Sequence, residues 1–266
     1  MVPVTNKKKI SVKPVDEAAV SRLAQELKIL PLLARLFIVR GLTDAGACGR
    51  FFSLDITQLH DPFLFRDMEK AVQRIRLAID NKEKIVIYGD YDVDGITGTA
   101  LLVRVLRRLG AQCGYYLPNR LTEGYGISTP AIQAIAGDGV RLVISVDCGV
   151  TAVDAVAAAK TAGLDIIITD HHEPHEALPA ADALLDPKVG ACGYPDGALA
   201  GVGVALKLCQ ALALAADRPP QLWMDYLDLR ETVAADRIAT QATAGLAARG
   251  VEQVEQTAEE EVHGRG

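Results

Sequence analysis

Three apolar, β-prone runs in this chain end in side chains that suit hard cations, and this repeated ending restricts the fold more than any other feature. In KIVIYGDYDVDGITGTA (84–100), Ile85, Val86, Ile87 and Tyr88 read as a buried strand. Asp90, Asp92 and Asp94 follow at alternate positions, then Gly95 and a helix expected from near Ile96. RLVISVDCG (141–149) is a second such strand, with Asp147 at its exit. LDIIITDHHEPHE (164–176) is the third, Ile166, Ile167 and Ile168 leading into Asp170, His171 and His172. In an open parallel α/β sheet the carboxyl ends of the strands line one crevice, so these residues are expected to converge there. Like charges set this close repel unless a positive charge lies between them. Oxygen ligands of this kind suit Mg²⁺ or Mn²⁺.

The segments between the runs support that arrangement. From Lys84 onward, strands at 84–89, 113–117, 141–147, 165–169 and 183–185 alternate with helices at 96–109, 129–136 and 151–162 and one from Gly203 to about Ala216. Such alternation implies a mostly parallel sheet with helices on both faces, an α/β fold. Ahead of it, residues 15–80 read as helical. Val20, Leu23, Ala24 and Leu27 keep a helical period, Pro31 interrupts the run, and Met68, Val72, Ile75 and Ile79 form the stripe of a helix over 67–80. The expected division is a helical N-terminal lead over 1–80, the α/β domain over 81–229, and a divergent Ala/Glu-rich tail over 230–266.

Half of the residues are hydrophobic and 23% are charged, an ordinary balance for a soluble chain with a sizeable core. No apolar run reaches the ~18 residues of a membrane span, and MVPVTNKKKI lacks the apolar block of a secretory signal. The five cysteines are scattered with no CxxC pair, which speaks against a disulfide framework or zinc knuckle and for a reducing cytoplasm. A net charge of −6 does not exclude a nucleic-acid partner, because bound cations would cancel the charge of an acidic metal site.

DYDVDG, SVDCG and TDHH, in this order, resemble the first three motifs of the DHH phosphoesterase superfamily. YLPNRLTEGYGIS (116–128) and LAGVGVALKL (199–208) narrow the resemblance to the RecJ single-strand-specific exonucleases, over roughly residues 45–229. The resemblance implies two Mn²⁺ or Mg²⁺ ions held by Asp90, Asp92, Asp94, Asp147 and His171. These would activate water and neutralise phosphate charge. It implies that His172 contacts the scissile phosphate or acts as an acid, and that Asp170 orients a histidine or closes a turn. Arg120 is the expected phosphate contact, and the N–H groups of Gly201 and Gly203 at a helix start are further candidates. The implied activity is 5′-to-3′ exonucleolytic cleavage of single-stranded DNA in recombination and repair.

Plainer readings stand beside these. Asp94 equally suits a helix cap, Asp92 a turn, and the Gly201–Gly203 pair tight helix–sheet packing. Tyr125, between Gly124 and Gly126, suits base stacking or simple packing. Relatives of the RecJ type continue after YLDL into an apolar segment with a fourth acidic motif. Here no such apolar segment follows and Asp236 in TVAADR, the candidate remnant of that motif, has flanks that fit it poorly, so the chain is expected to be truncated or altered after Leu229, with its activity in doubt. The alternatives are a phosphodiesterase for short oligonucleotides or cyclic dinucleotides, and a catalytically dead nucleic-acid- or partner-binding module. The sequence does not define an oligomeric state.

Overall fold

The computed structural model describes residues 13–52 and 59–226, which form parts of two compact units, one up to Leu59 and one from His60. The expected tail over 230–266, with Asp236, lies outside the described residues.

The first unit contains α1 (Glu17–Leu27), α2 (Pro31–Val39) and α3 (Ala45–Phe52). Asp16 caps α1 by accepting from the Ala18 N–H, and Lys28 ends the helix in the left-handed conformation. Pro31 opens α2 at a position that needs no N–H donor, so it divides the two helices rather than kinking one. Val20, Leu23, Ala34, Phe37 and Cys48 fill the small core of this unit.

The second unit contains α4 (Met68–Asp80), which the sequence reading grouped with the helical lead. Arg74 explains its place. Its guanidinium pairs with Glu83 and with Asp165 at the start of a strand of the sheet, fastening α4 to that unit. The sheet has five strands: β1 (Lys84–Gly89), β2 (Gln112–Tyr116), β3 (Val140–Val146), β4 (Asp165–Thr169) and β5 (Ala183–Leu185). All neighbours pair in parallel, in the order β2-β1-β3-β4-β5. The helices α5 (Val93–Arg108) and α8 (Gly201–Ala215) pack together with α4 on one face. On the other face α6 (Thr129–Gly137) and α7 (Val153–Thr161) bury Val86, Tyr88, Val143, Ile166 and Ile168. Burial on both faces explains why the strands read as continuous apolar runs. A short α9 (Gln221–Met224) ends the described chain.

The strand order reverses direction between β1 and β3, and a sheet of this type opens a crevice at that point beyond the carboxyl ends of its strands. The acids following β1 and β3 therefore emerge on either side of it. Among the described residues no helix is long and apolar enough to cross a membrane.

Candidate metal centre

The chain leaves β1 at Gly89 and turns at once. The Asp90 N–H donates to the Val146 carbonyl of β3, continuing the parallel ladder by one residue and burying the Asp90 carboxylate. Asp92 is the N-cap of α5, accepting from the N–H groups of Asp94 and Gly95 at 2.9 and 3.0 Å. The helix thus begins at Val93, three residues earlier than expected, with Asp94 inside its first turn. Gly95 permits this tight entry, because a Cβ there would lie 2.5 Å from the Asp90 carbonyl oxygen.

Asp94 reaches across to α8. Its Oδ2 accepts from the Gly201 N–H at 2.7 Å and its Oδ1 from the Val202 N–H at 2.6 Å. The donor that the sequence reading assigned to a phosphate is engaged by this internal carboxylate instead, a fitting partner for the positive end of a helix. Gly201 is also a close approach, since a Cβ would fall 2.4 Å from Asp147 Oδ1. Gly203 lies in the same first turn, packed towards the Leu199 side chain.

Asp147 follows β3 with φ at 63°, a conformation few non-glycine residues adopt and one that commonly marks functional sites. Neighbouring bonds hold it there. The Asp147 N–H donates to the Thr169 carbonyl, the Ser145 hydroxyl to the Cys148 carbonyl and the Thr169 hydroxyl to the Ser145 carbonyl.

At the exit of β4 the two histidines divide. His171 Nδ1 lies 3.1 Å from the Leu199 carbonyl, which can only accept, so the ring proton resides there. Nε2 is left with a lone pair 3.1 Å from Asp147 Oδ1 and 3.7 Å from Asp94 Oδ2. His172 Nδ1 lies 2.7 Å from Asp170 Oδ1, and the Tyr125 hydroxyl approaches the same ring. Asp170 is buried and fully used, accepting also from the backbone N–H groups of His171, His172 and Val150. Arg120 stands at the exposed rim with its guanidinium 5.4 Å from the centre of the Tyr91 ring.

The electrostatics call for a cation. Asp90 and Asp147 are 2% and 1% exposed, and each has a buried Oδ1 that accepts no hydrogen bond. Burial, with Asp94 and Asp92 close by, pushes the Asp147 pKa up to about 9, and burial also raises that of Asp90. A lone pair facing two carboxylates, beside orphaned carboxylate oxygens, is an arrangement that a divalent ion relieves and a proton relieves only in part. Ligand atoms of Asp90, Asp92 and Asp147 lie within 4.8 Å of one another, as do those of Asp147, His171 and His172. Asp147 belongs to both groups, so these residues fit a pair of ions sharing one carboxylate.

The profile of the DHH family, N-terminal domain, matches residues 84–257. The chain belongs to the DHH family. The match spans all the acids and histidines above and runs past Leu229, where the sequence reading expected the likeness to end. A relative from Bacillus subtilis (strain 168), named single-stranded-DNA-specific exonuclease RecJ, is 43% identical over 79% of this chain. The chain spans only 27% of that relative's length. Two solved structures share the DHH-family fold. An exonuclease RecJ bound to manganese is 30% identical, with a TM-score of 0.58 over 71% of this chain and 50% of that one. A RecJ from Thermus thermophilus in complex with Mn²⁺ is 26% identical, with a TM-score of 0.60 over 79% of this chain and 29% of that one.

One group and one contact near the centre escaped the sequence reading. Asp186, at the exit of β5, is fully buried with one carboxylate oxygen unpartnered, and burial pushes its pKa up to about 6. Its position after a short apolar strand repeats the pattern of Asp90, Asp147 and Asp170, and this was the available signal. The approach of the Tyr125 hydroxyl to His172 spans 47 residues of sequence and left no local trace.

Proposed function

We propose that the chain carries the metal-holding part of a phosphodiesterase, a 5′-to-3′ exonuclease for single-stranded DNA that serves recombination and repair. The observation that carries the reading is the convergence of Asp90, Asp92 and Asp147, with the orphaned oxygens of Asp90 and Asp147, and of the His171 Nε2 lone pair with Asp94 3.7 Å from it, beyond the carboxyl ends of the central strands. These five residues would hold two ions. The imidazole favours Mn²⁺ over Mg²⁺ at one position, in keeping with the manganese named for the two similar RecJ structures. When bound, the ions lower the pKa of water and offset charge on the phosphate oxygens.

The protein's own groups supply orientation and proton handling. The Nδ1–H of His172 donates to Asp170, which fixes the ring so that Nε2, when the imidazole is protonated, would donate to a phosphoester oxygen in place of its contact with Tyr125. Asp94 serves two purposes, anchoring the start of α8 while facing His171. The missing Cβ of Gly201 leaves room for the Asp147 carboxylate. Arg120, exposed over Tyr91, is a cation at the rim for a phosphate of the incoming strand. Preference for single-stranded DNA rests on the name of the Bacillus subtilis relative. Five unpaired, buried thiols suit a reducing cytoplasm.

The test is Mn²⁺-dependent degradation of a 5′-phosphorylated, end-labelled single strand, beside duplex DNA and a strand blocked at its 5′ end. Mononucleotide release from the 5′ end alone is the expected result. No release by protein that still binds Mn²⁺ would refute the nuclease reading and leave a metal-binding module.

A further inference from the structure

We infer that the Tyr125 hydroxyl is a positioning group for His172, bearing on the imidazole beside its bond to Asp170. The inference rests on the phosphoester-cleaving reading above and adds a residue to it.

The Tyr125 oxygen lies 3.1 Å from His172 Nδ1 and 3.3 Å from Nε2. The shorter contact meets a nitrogen already committed, because the Asp170 carboxylate can only accept and sits 2.7 Å from Nδ1. The phenolic proton is therefore left to the Nε2 side of the ring, approached off the lone-pair axis, or to the Asp147 carbonyl at 3.5 Å. The two rings meet edge to face, with centroids 5.7 Å apart. Asp170 alone fixes one nitrogen and leaves the ring free to rock about that bond; the phenol, in contact with both ring nitrogens, limits this freedom. The phenol stays a donor over the working range, since burial and the carboxylates of Asp170, Asp90 and Asp147 all raise its pKa.

The loop is built to deliver this hydroxyl. Gly124 and Gly126 both take positive φ, 79° and 83°, which turns the backbone sharply on either side of Tyr125. The Tyr88 hydroxyl, from within the sheet, donates to the Gly126 carbonyl at 3.1 Å and anchors the turn to β1. Tyr125 is 53% exposed although its hydroxyl faces the Asp147 carbonyl and His172. A base-stacking platform needs the ring and has no use for the hydroxyl, so Phe and Ala replacements separate the two roles.

The experiment compares wild type, Tyr125→Phe and Tyr125→Ala as full chains. The first readout is the imidazole ¹⁵N spectrum of metal-free, ¹⁵N-labelled protein, and it needs no activity. In Tyr125→Phe the His172 Nε2 resonance is expected to move towards that of an unbonded lone pair, while the His60 and His175 signals stay in place and report an intact fold. The second readout is turnover of 5′-phosphorylated single-stranded DNA with Mn²⁺. Tyr125→Phe is expected to lower kcat about tenfold, the equivalent of one hydrogen bond, with KM unchanged. An unmoved Nε2 resonance overturns the inference whatever the turnover. A wild-type kcat in Tyr125→Phe, with a raised KM in Tyr125→Ala alone, overturns it in favour of ring stacking. Absence of turnover in wild type counts against the nuclease reading, and the ¹⁵N readout then decides the Tyr125 contact by itself.

Discussion

Replacing Asp147 by Asn is expected to stabilise the metal-free protein and to abolish the gain that metal brings. In the fold without a cation the Asp147 carboxyl keeps its proton up to about pH 9, against an ordinary value of 3.8. The folded state therefore holds a proton that the unfolded chain has already released, and stability falls as pH rises through this window. The contribution is fully present below pH 3.8 and lost by about pH 9. The penalty grows by about 1.4 kcal/mol per pH unit, so between 3.8 and pH 7 it reaches about 4 kcal/mol. That figure does not depend on where above 7 the folded pKa lies. Asn has nearly the same shape and carries no such proton, so Asp147→Asn should be about 4 kcal/mol more stable than wild type at pH 7 in EDTA, and little different at pH 4. Mn²⁺ at a hundred times its Kd adds about 2.7 kcal/mol to wild type and should add almost nothing to the variant. Urea unfolding at pH 4, 7 and 8, with EDTA or with Mn²⁺, measures all four quantities. Equal pH slopes for the two proteins in EDTA would refute the argument, because Asp147 would then not be the group that takes up the proton.

Three further outcomes follow from the same geometry. Gly201→Ala places a methyl 2.4 Å from Asp147 Oδ1, against the carboxylate shared by both ligand groups. It should weaken Mn²⁺ binding by calorimetry and cost about 1–3 kcal/mol in urea unfolding, and wild-type values in both would contradict the packing described. Asp170→Asn turns one accepting oxygen of a fully used carboxylate into a donor facing other donors, and should cost about 1–3 kcal/mol, a loss that an unchanged unfolding midpoint would disprove. Lys207 is 1% exposed, and its amine donates to the His60 carbonyl at 2.7 Å and to Gln210 at 2.9 Å. Lys207→Met should cost about 1–3 kcal/mol by leaving that carbonyl unpaired, and thermal melting that shows no change would contradict this.

What could be read from the sequence follows from the range of the interactions involved. The strands at Lys84–Gly89, Val140–Val146 and Asp165–Thr169 were legible because burial on both faces makes them apolar runs, and an acid or histidine breaking such a run marks its exit. The start of α5 was misplaced because its first turn, Val93-Asp94-Gly95, is polar and glycine-containing. An Asp92 N-cap looks like a turn residue until the N–H groups it accepts from are known. The role of Gly201 was hidden for a different reason. Its N–H is matched by Asp94, which lies 107 residues earlier, so the glycine pattern alone reads as an open anion site. That α4 groups with the sheet was not legible, because Arg74 ties it to Glu83 and to the distant Asp165, a link no local composition reveals.

The central claim is that the acids following β1 and β3, with His171 after β4, form one centre for two divalent ions. Anomalous diffraction from crystals grown with Mn²⁺ tests it most directly. The account predicts two manganese peaks between Asp90, Asp92, Asp94, Asp147 and His171, with Asp147 touching both. A single peak away from Asp147, or manganese bound elsewhere while these carboxylates stay ion-free, would contradict it.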